Sequence, residues 1–210
     1  ELPRDLCKID LIHAFIYPDN EYASEHYSLP VVNKLSKRIV INQKTKSDLY
    51  NQYDQNSVDP ILKNRIENIY NGIQIAESVK DKSQDEVLKV LYVGRNTQEK
   101  RVQIIAEIAE KFQGNDQIKF IAIGEGLDGY FKHLTNVKTT GVKQGAELEA
   151  EYQKGNVLLL TSKREGFPLV ICEAMTNNIA CISTKVGGIP FLLESGIDCY
   201  LVEPENEEEI

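Results

Sequence analysis

Charged side chains follow several short apolar runs in the second half of the chain, where they can meet an anionic ligand. The apolar run at residues 88–93 is followed by Gly94 and Arg95, and Lys100 comes at the start of the next amphipathic stretch. A guanidinium and an ammonium group in such loops can neutralise a diphosphate, the first as a planar fork and the second as a point charge. An ordinary solvated surface is the alternative explanation for this pair.

Two glutamates eight residues apart, Glu165 and Glu173, are the carboxylates with the clearest chemical context. Glu173 falls in a predicted helix that is otherwise apolar, where a buried carboxylate needs a partner. It can accept hydrogen bonds from the hydroxyls of a ribose, and Glu165, in the loop before that helix, can contact a sugar. The backbone N–H groups near Gly166 and Phe167, at the helix start, can bind anionic or hydroxyl oxygens.

A rival pattern, G-x-G-x-x-G, follows a predicted strand at Gly124, Gly126 and Gly129. It would indicate a dinucleotide cofactor and hence an NAD(P)-dependent oxidoreductase. That fingerprint needs an acidic residue about 20 positions further on, in the context of a strand that ends there. The acids near that spacing, Glu147 and Glu149, fall in a predicted helix, so the match is poor.

The periodicity of the chain predicts a scaffold that brings these loops to one edge. From residue 88 onward, apolar runs alternate with amphipathic stretches, which predicts strands joined by crossover helices. Such a chain folds as a Rossmann-like α/β domain, a parallel sheet with helices on both faces, and ligands bind beyond the carboxyl ends of its strands. The predicted strands are 88–94, 117–124, 136–140, 156–162, 179–184 and 198–204, and the predicted helices are 99–112, 127–134, 147–154, 167–175 and 188–195.

The first 71 residues differ in character from the rest. All 13 glycines lie at or after Gly72, which predicts a boundary between residues 1–71 and residues 72–210. We interpret the first part as the end of a domain whose beginning is missing, and the second as a Rossmann-like domain that lacks its last helices. The elements predicted in the first part are too few for an independent α/β domain: strands at 10–15 and 37–42, a helix at 45–54 and a short extended piece that ends at Asn71 and Gly72.

The composition disfavours several classes of protein. The 210 residues carry a formal net charge of −8, but seven acids and no base follow from Glu194 to the end, and the rest has 25 acids against 24 bases. Without a basic face, nucleic-acid binding is not expected. No apolar run is long enough for a membrane-spanning helix, and the N-terminus lacks a signal-peptide pattern. The four cysteines form no CxxC pair, which favours buried free thiols in a reducing, cytoplasmic location.

The order and spacing of these motifs resemble those of the C-terminal domain of family-four retaining glycosyltransferases of the GT-B fold. The resemblance covers about residues 68–210, and the residues before it are similar, more loosely, to the end of the family's acceptor domain. It rests on VGRNTQEK (93–100), IAIGEGL (121–127), TGV (140–142), REGFPLVICEAM (164–175) and VGGIP (186–190).

The resemblance implies a nucleoside diphosphate sugar, such as a UDP-sugar, as the donor, with no metal or other cofactor. Arg95 and Lys100 would hold the diphosphate and stabilise the leaving group, Glu165 would contact the donor sugar, and Glu173 would bind the ribose. The other residues implied at the donor site lie in the loops around base, sugar and phosphates: Gly94, Gly124, Gly141, Val142, Gly166, Phe167, Pro168 and Leu169.

The sequence departs from the usual family pattern at four positions. Asn178 and Arg101 stand where glycine is frequent, and Ala180 replaces a frequent proline. Phe191 replaces a frequent glutamate, so the polar contact that the family makes there is not expected. These departures leave the predicted phosphate cations and the glutamate pair in place.

The sequence therefore predicts metal-independent transfer of a sugar, with retention, to an unassigned glycan, lipid or protein acceptor. The chain alone should bind nucleotide but transfer little, and any peripheral membrane association would depend on the missing domain. Two alternatives remain, the NAD(P)-dependent oxidoreductase and a non-catalytic nucleotide-binding module. His13 is either an acceptor-side residue or a structural or exposed one, and the aromatic-rich stretch 15–27 either faces an acceptor or is an ordinary loop.

Overall fold

The structure, a computed structural model, describes residues 6–13, 29–82 and 85–204. The chain divides into two compact units, of which the first contains residues up to Gly72 together with residues 165–167 and 187–191. The second unit contains the remainder from Ile73 onward. None of the helices in the described part is long and apolar enough to cross a membrane.

The first unit is built on a parallel sheet that has three strands within the described residues. Neighbouring strands pair in the order in which they occur along the chain. Its elements are β1 (Ile9–Ile12), β2 (Lys37–Val40), α1 (Gln43–Gln55) and β3 (Ile66–Asn68), with 3-10 turns at Leu29–Lys34 and Pro60–Arg65.

Helix α1 forms the core of the first unit with one face of this sheet. Leu49 and Tyr53 of α1 are buried in one cluster with Val40 of β2. Arg38 of β2 is only 2% exposed, and it donates hydrogen bonds to the Asp10 carboxylate at 2.7 Å and to the Tyr53 hydroxyl at 3.1 Å. A buried charge is tolerated only with such partners. The two hydrogen bonds of Arg38 therefore tie β2 to β1 and to α1.

The predicted elements of the first unit are found with shifted ends, and a strand lies where the sequence predicted only a short extended piece. β1 and β2 are shorter than the predicted strands, and α1 is longer than the predicted helix. β3 has three residues, of which only Ile66 is buried, so it leaves almost no periodic signal in the sequence. The aromatic-rich stretch 15–27 lies outside the described residues.

The second unit has the predicted Rossmann-like architecture. All of its strand pairs are parallel, and the sheet order within the described residues is β6-β5-β4-β7-β8-β9. The strands are β4 (Leu88–Val93), β5 (Ile118–Ile123), β6 (Val137–Thr139), β7 (Val157–Leu160), β8 (Ala180–Thr184) and β9 (Tyr200–Val202). The helices are α2 (Val102–Lys111), α3 (Asp128–Phe131), α4 (Gly145–Tyr152) and α5 (Leu169–Thr176).

The amphipathic helix α2 builds much of the core of this unit. Its residues Val102, Ile105, Ile108 and Ala109, which recur at helical spacing, are all buried in one cluster with β4 and β5. Burying such a stripe against a sheet is the main source of stability for a helix of this length. The sequence periodicity predicted this face correctly.

One predicted helix, at residues 188–195, is wrong. The structure has only a 3-10 turn there, Ile189–Phe191, in which Ile189 is the one buried residue. Gly187 and Gly196 flank the segment with φ values of 56° and 84°, in the left-handed region that ends helices. The segment is thus too short between its breakers to bury a helical face.

The four cysteines are free thiols, but the predicted burial is right only for Cys181. Burial raises the pKa of the Cys181 thiol to about 12. Cys7 precedes β1 and is exposed, and Cys172 and Cys199 are half-buried. Cys199 adjoins β9, which is at the sheet edge in the described part of the unit, so an apolar run there does not imply burial.

Candidate active site

The carboxyl ends of the strands in the second unit form the edge at which a ligand would bind. β4 and β7 are neighbours, but β5 and β6 lie beyond β4 whereas β8 and β9 lie beyond β7. The loops after β4 and β7 therefore lead to opposite sides, and such a reversal leaves a crevice outside the carboxyl ends of the two strands. The residues after these strands are the first to consider as ligand contacts.

Three of the predicted donor-site glycines come together at this edge. The Gly94 N–H donates to the Ile123 carbonyl at 3.0 Å, and the Gly124 N–H donates to the Gly141 carbonyl at 2.9 Å. Gly124 has a φ of 151°, and a Cβ there would lie 1.8 Å from the Gly94 carbonyl oxygen. No side chain fits at that point, so the loops after β4, β5 and β6 present bare backbone that a phosphate can approach.

Hydrogen bonds hold the main chain of Arg95 and of Lys100, the two cationic residues predicted to bind phosphate. The Arg95 carbonyl accepts a hydrogen bond from the buried Tyr92 hydroxyl at 3.1 Å, and the Arg95 side chain is exposed. Lys100 ends a 3-10 turn at Gln98–Lys100 and is half-buried. Its carbonyl accepts a hydrogen bond from the Thr161 hydroxyl at 3.2 Å, so the loop after β4 is held by the end of β7.

Arg101, the next residue, has a structural role. Its Nε donates to the Thr161 carbonyl at 2.7 Å and its Nη1 donates to the Pro204 carbonyl at 3.1 Å. Its φ is 47°, and Asn178 has a φ of 52°. Both positions lie in the left-handed region that favours glycine, which explains why glycine is frequent at the matching family positions. This backbone also explains why the helix predicted from residue 99 begins at Val102.

The predicted helix start and the predicted partner of Glu173 are both present. Pro168 is buried and directly precedes α5, which begins at Leu169. Glu173 is half-buried, and its Oε2 accepts a hydrogen bond from the Tyr152 hydroxyl at 2.8 Å. Burial and the neighbouring Glu173 carboxylate raise the pKa of Tyr152, so the hydroxyl remains a donor to Glu173 at neutral pH.

A cavity of about 460 Å³ lies beside Glu173. This volume is within the range of small-ligand pockets, roughly 300–1,000 Å³. Its walls are residues 74–78, the side of α4 from Gly145 to Gln153, and Glu173. Within the described part of the chain, the Oε1 atom of Glu149, on the same wall, is buried without a hydrogen-bond partner. The wall therefore offers carboxylate acceptors to hydroxyl or N–H donors.

The sequence missed two parts of this cavity. Tyr152 is one of ten tyrosines, and nothing in its spacing marks it as the partner of Glu173, 21 residues away. Residues 74–78 lack periodicity and read as a plain linker. Conversely, Gly141 and Val142, predicted to flank a base, are exposed and are not part of the cavity wall, and Val142 is 57% exposed.

Glu165, Gly166 and Phe167 pack within the first unit, whereas Arg95, Lys100 and Glu173 belong to the second. The Gly166 carbonyl accepts a hydrogen bond from the Asn42 side chain at 3.0 Å. A Cβ on Gly166 would lie 2.5 Å from the His13 carbonyl oxygen, so only glycine fits there. The Gly188 N–H donates to the Glu165 carbonyl at 3.3 Å, and together these contacts fix the backbone of this predicted sugar-contacting segment.

Two of the three histidines lie in the described residues. His13, at the end of β1, and His133 are both exposed, and His26 lies outside the described residues. In the part of the chain that the structure describes, no group of three or more His, Cys, Asp or Glu side chains could hold a metal ion.

The geometry disfavours the dinucleotide fingerprint at Gly124, Gly126 and Gly129. It follows β5, which is not one of the two strands at the reversal. Its third glycine should allow close packing of helix on strand, yet a Cβ on Gly129 would meet nothing within 4 Å. Glu147 and Glu149 lie on α4, as predicted, rather than at a strand end.

Comparison with known proteins decides the family. The profile described as "Glycosyl transferases group 1" matches residues 87–210. The chain belongs to this family. It is 30% identical over 125 residues to the sulfoquinovosyl transferase SQD2 of Arabidopsis thaliana, which covers 57% of this chain and 24% of that protein. The chain spans less than half the length of the curated relatives it matches.

Solved structures of GT-B glycosyltransferases share the fold of this chain. TarM of S. aureus matches 97% of this chain and 41% of its own, with a TM-score of 0.79 and 24% identity. HepE of Anabaena, in complex with UDP and glucose, matches 96% of this chain and 59% of its own, with a TM-score of 0.71 and 22% identity. The predicted fold class is thereby confirmed.

Proposed function

We propose that this chain is the donor-binding part of a retaining glycosyltransferase that uses a nucleoside diphosphate sugar. The observation that carries the proposal is the edge of the second unit, where the backbones of Gly94, Gly124 and Gly141 meet next to Arg95, and where Lys100 lies in the same loop after β4 as Arg95. Bare backbone and two cations suit a diphosphate. Membership of the group 1 family agrees with this chemistry.

The cations would act on the leaving group. In the transfer, the bond between the anomeric carbon and the diphosphate oxygen breaks, and the acceptor hydroxyl bonds that carbon on the same face and loses its proton to the departing diphosphate. Charge develops on the departing diphosphate, and Arg95 and Lys100 would stabilise it by preorganised electrostatics. We propose that these side chains supply the charge without a metal, and that Glu165 contacts the donor sugar.

The cavity beside Glu173 would take the nucleoside. The Tyr152 hydroxyl occupies one oxygen of the Glu173 carboxylate at 2.8 Å, which fixes the carboxylate and leaves its remaining acceptor capacity for ribose hydroxyls. Because HepE is described in complex with UDP and glucose, UDP is the first nucleotide to test. We also propose a cytoplasmic location, since the four cysteines are free thiols.

Isothermal titration of the 210-residue chain with UDP, GDP and NADP+ tests the proposal. We expect a nucleoside diphosphate to bind and NADP+ not to bind. The Arg95→Gln variant should weaken diphosphate binding about tenfold, because it removes a charge-assisted contact. Lys132→Gln is the matched control, since Lys132 is exposed at the end of α3. Binding of NADP+ alone would favour the oxidoreductase instead.

A transfer assay on the same chain tests the division of labour. Because the chain spans less than half the length of the curated relatives it matches, we expect nucleotide binding with little or no sugar transfer. Robust transfer by the 210 residues would contradict the idea that the chain is a donor-binding part.

A further inference from the structure

Glu99 lies where the loop after β4 meets the loop after β7. The Lys163 N–H donates a hydrogen bond to the Glu99 carbonyl at 2.6 Å, so the two loops are joined through the main chain. The Glu99 side chain forms an ion pair with Arg164, with 3.6 Å between Oε1 and Nη2. The two side chains are 49% and 44% exposed, so solvent and solutes reach both.

A second arginine acts on the same carboxylate. The pKa of Glu99 lies below its ordinary value, first because of hydrogen bonds from its own N–H and the Thr97 hydroxyl, and further because of the charges of Arg164 and Arg95. Glu99 is therefore an anion at neutral pH. One arginine follows β4 and the other follows β7, the two strands at the reversal of the sheet.

From this arrangement, and resting on the function proposed above, we propose that Glu99 is an internal counter-ion that competes with the donor diphosphate, and that Arg164 is a further phosphate-binding residue. Binding would exchange one ion pair for another. The Arg164 guanidinium leaves the single contact at 3.6 Å with Glu99 and pairs with phosphate oxygens, which can engage two of its N–H groups at once.

The energetics favour an exchange in this direction. An ion pair with both side chains half exposed is weak, because solvent screens it and both chains lose freedom. A diphosphate carries more charge than a carboxylate and offers more acceptor oxygens. Glu99 then lowers donor affinity by a modest factor while it keeps Arg164 near the crevice in the free protein.

Titrations of UDP, GDP and their monophosphates into three test variants and two control variants test the proposal. Glu99→Gln should tighten diphosphate binding about threefold, the scale of an exposed charge pair. Arg164→Gln should weaken it about tenfold, the scale of a charge-assisted contact, and Arg164→Lys should restore part of the loss. The controls are Glu110→Gln and Lys132→Gln, which make the same charge changes at exposed positions on α2 and next to α3.

Two further readouts separate ligand contact from a structural role. The effects of Glu99→Gln and Arg164→Gln should be smaller for the monophosphates, and the gain from Glu99→Gln should shrink when Arg164 is also replaced. Thermal unfolding of each variant checks that the fold is retained. An unchanged fold with altered phosphate dependence is the expected combination.

The outcomes are distinct. If the chain binds diphosphates but Glu99→Gln leaves affinity at the level of Glu110→Gln or lowers it, Glu99 is not a competitor. If Arg164→Gln behaves like Lys132→Gln, Arg164 does not bind phosphate. If the unaltered chain binds no nucleotide, the proposed function fails, and this inference fails with it.

Discussion

The hydroxyl of Tyr152 does two things for the candidate site. Tyr152 is 1% exposed, and its hydroxyl donates to Glu173 at 2.8 Å on the wall of the cavity. Without that donor, a half-buried carboxylate would lose a partner that water only partly replaces. The same residue therefore packs the core and sets the direction of the acceptor oxygens that a ribose would meet.

Replacing Tyr152 with phenylalanine should destabilise the chain by about 2 kcal/mol, the scale of a hydrogen bond to a charged group. Because the folded protein raises the pKa of Tyr152, the stabilisation is fully present below the ordinary tyrosine value of about 10 and is lost as pH rises above it. Urea unfolding of both proteins between pH 7 and 11 measures this. Tyr130→Phe, a half-buried tyrosine on α3, is the control, and an equal effect of both changes would refute the role of Tyr152.

The elements were easier to predict than the contacts between them. Strands β4, β5, β7 and β8 and helix α2 were found to within a few residues, because buried apolar runs and a helical stripe are local signals. The false helix at 188–195 and the strand β3, which was predicted only as a short extended piece, are segments with few buried residues. The partners of Glu173 and Gly166 come from residues far away in sequence, and no local pattern encodes such contacts.

Two glycines that follow β5, Gly124 in the loop and Gly129 in helix α3, should respond in opposite ways to substitution by alanine. A Cβ on Gly124 would clash with the Gly94 carbonyl oxygen, and the backbone there has a φ of 151°, so Gly124→Ala should cost about 2 kcal/mol or more and weaken nucleotide binding. Gly129 lies in α3 with nothing within 4 Å of a Cβ, and Gly129→Ala should stabilise by up to about 1 kcal/mol.

Chemical unfolding and nucleotide titration of both variants give the comparison. A dinucleotide fingerprint would predict loss of binding in both, since its third glycine is needed for packing. Tolerance at Gly129 together with loss at Gly124 is the result expected for a loop that only has to approach a phosphate.

At the scale of the whole molecule, we propose that the two units carry different parts of the predicted function. The family match at residues 87–210 falls mainly in the second unit. The distribution of glycine in the sequence already indicated a boundary between the two units, because all 13 glycines lie at or after Gly72. The loops that we propose for phosphate binding would need bare backbone, whereas the sheet of the first unit is held by side chains such as Arg38. The role of the first unit on the acceptor side stays a prediction.

This difference predicts where a bound nucleotide will slow amide exchange. A ligand that binds only the folded state stabilises it by about 2.7 kcal/mol at one hundred times its dissociation constant. If the donor site is the edge of the second unit, saturating UDP or GDP should slow exchange most in the loops after β4 and β5 and at the start of α5. Amides in the middle of α1, in the first unit, should change least.

Hydrogen exchange measured by mass spectrometry reports on both regions in one sample. The Arg95→Gln variant is the control, because it lacks one of the proposed phosphate contacts. Protection centred on α1, with none in the loops after β4 and β5, would move the nucleotide site to the first unit and overturn the assignment of Arg95.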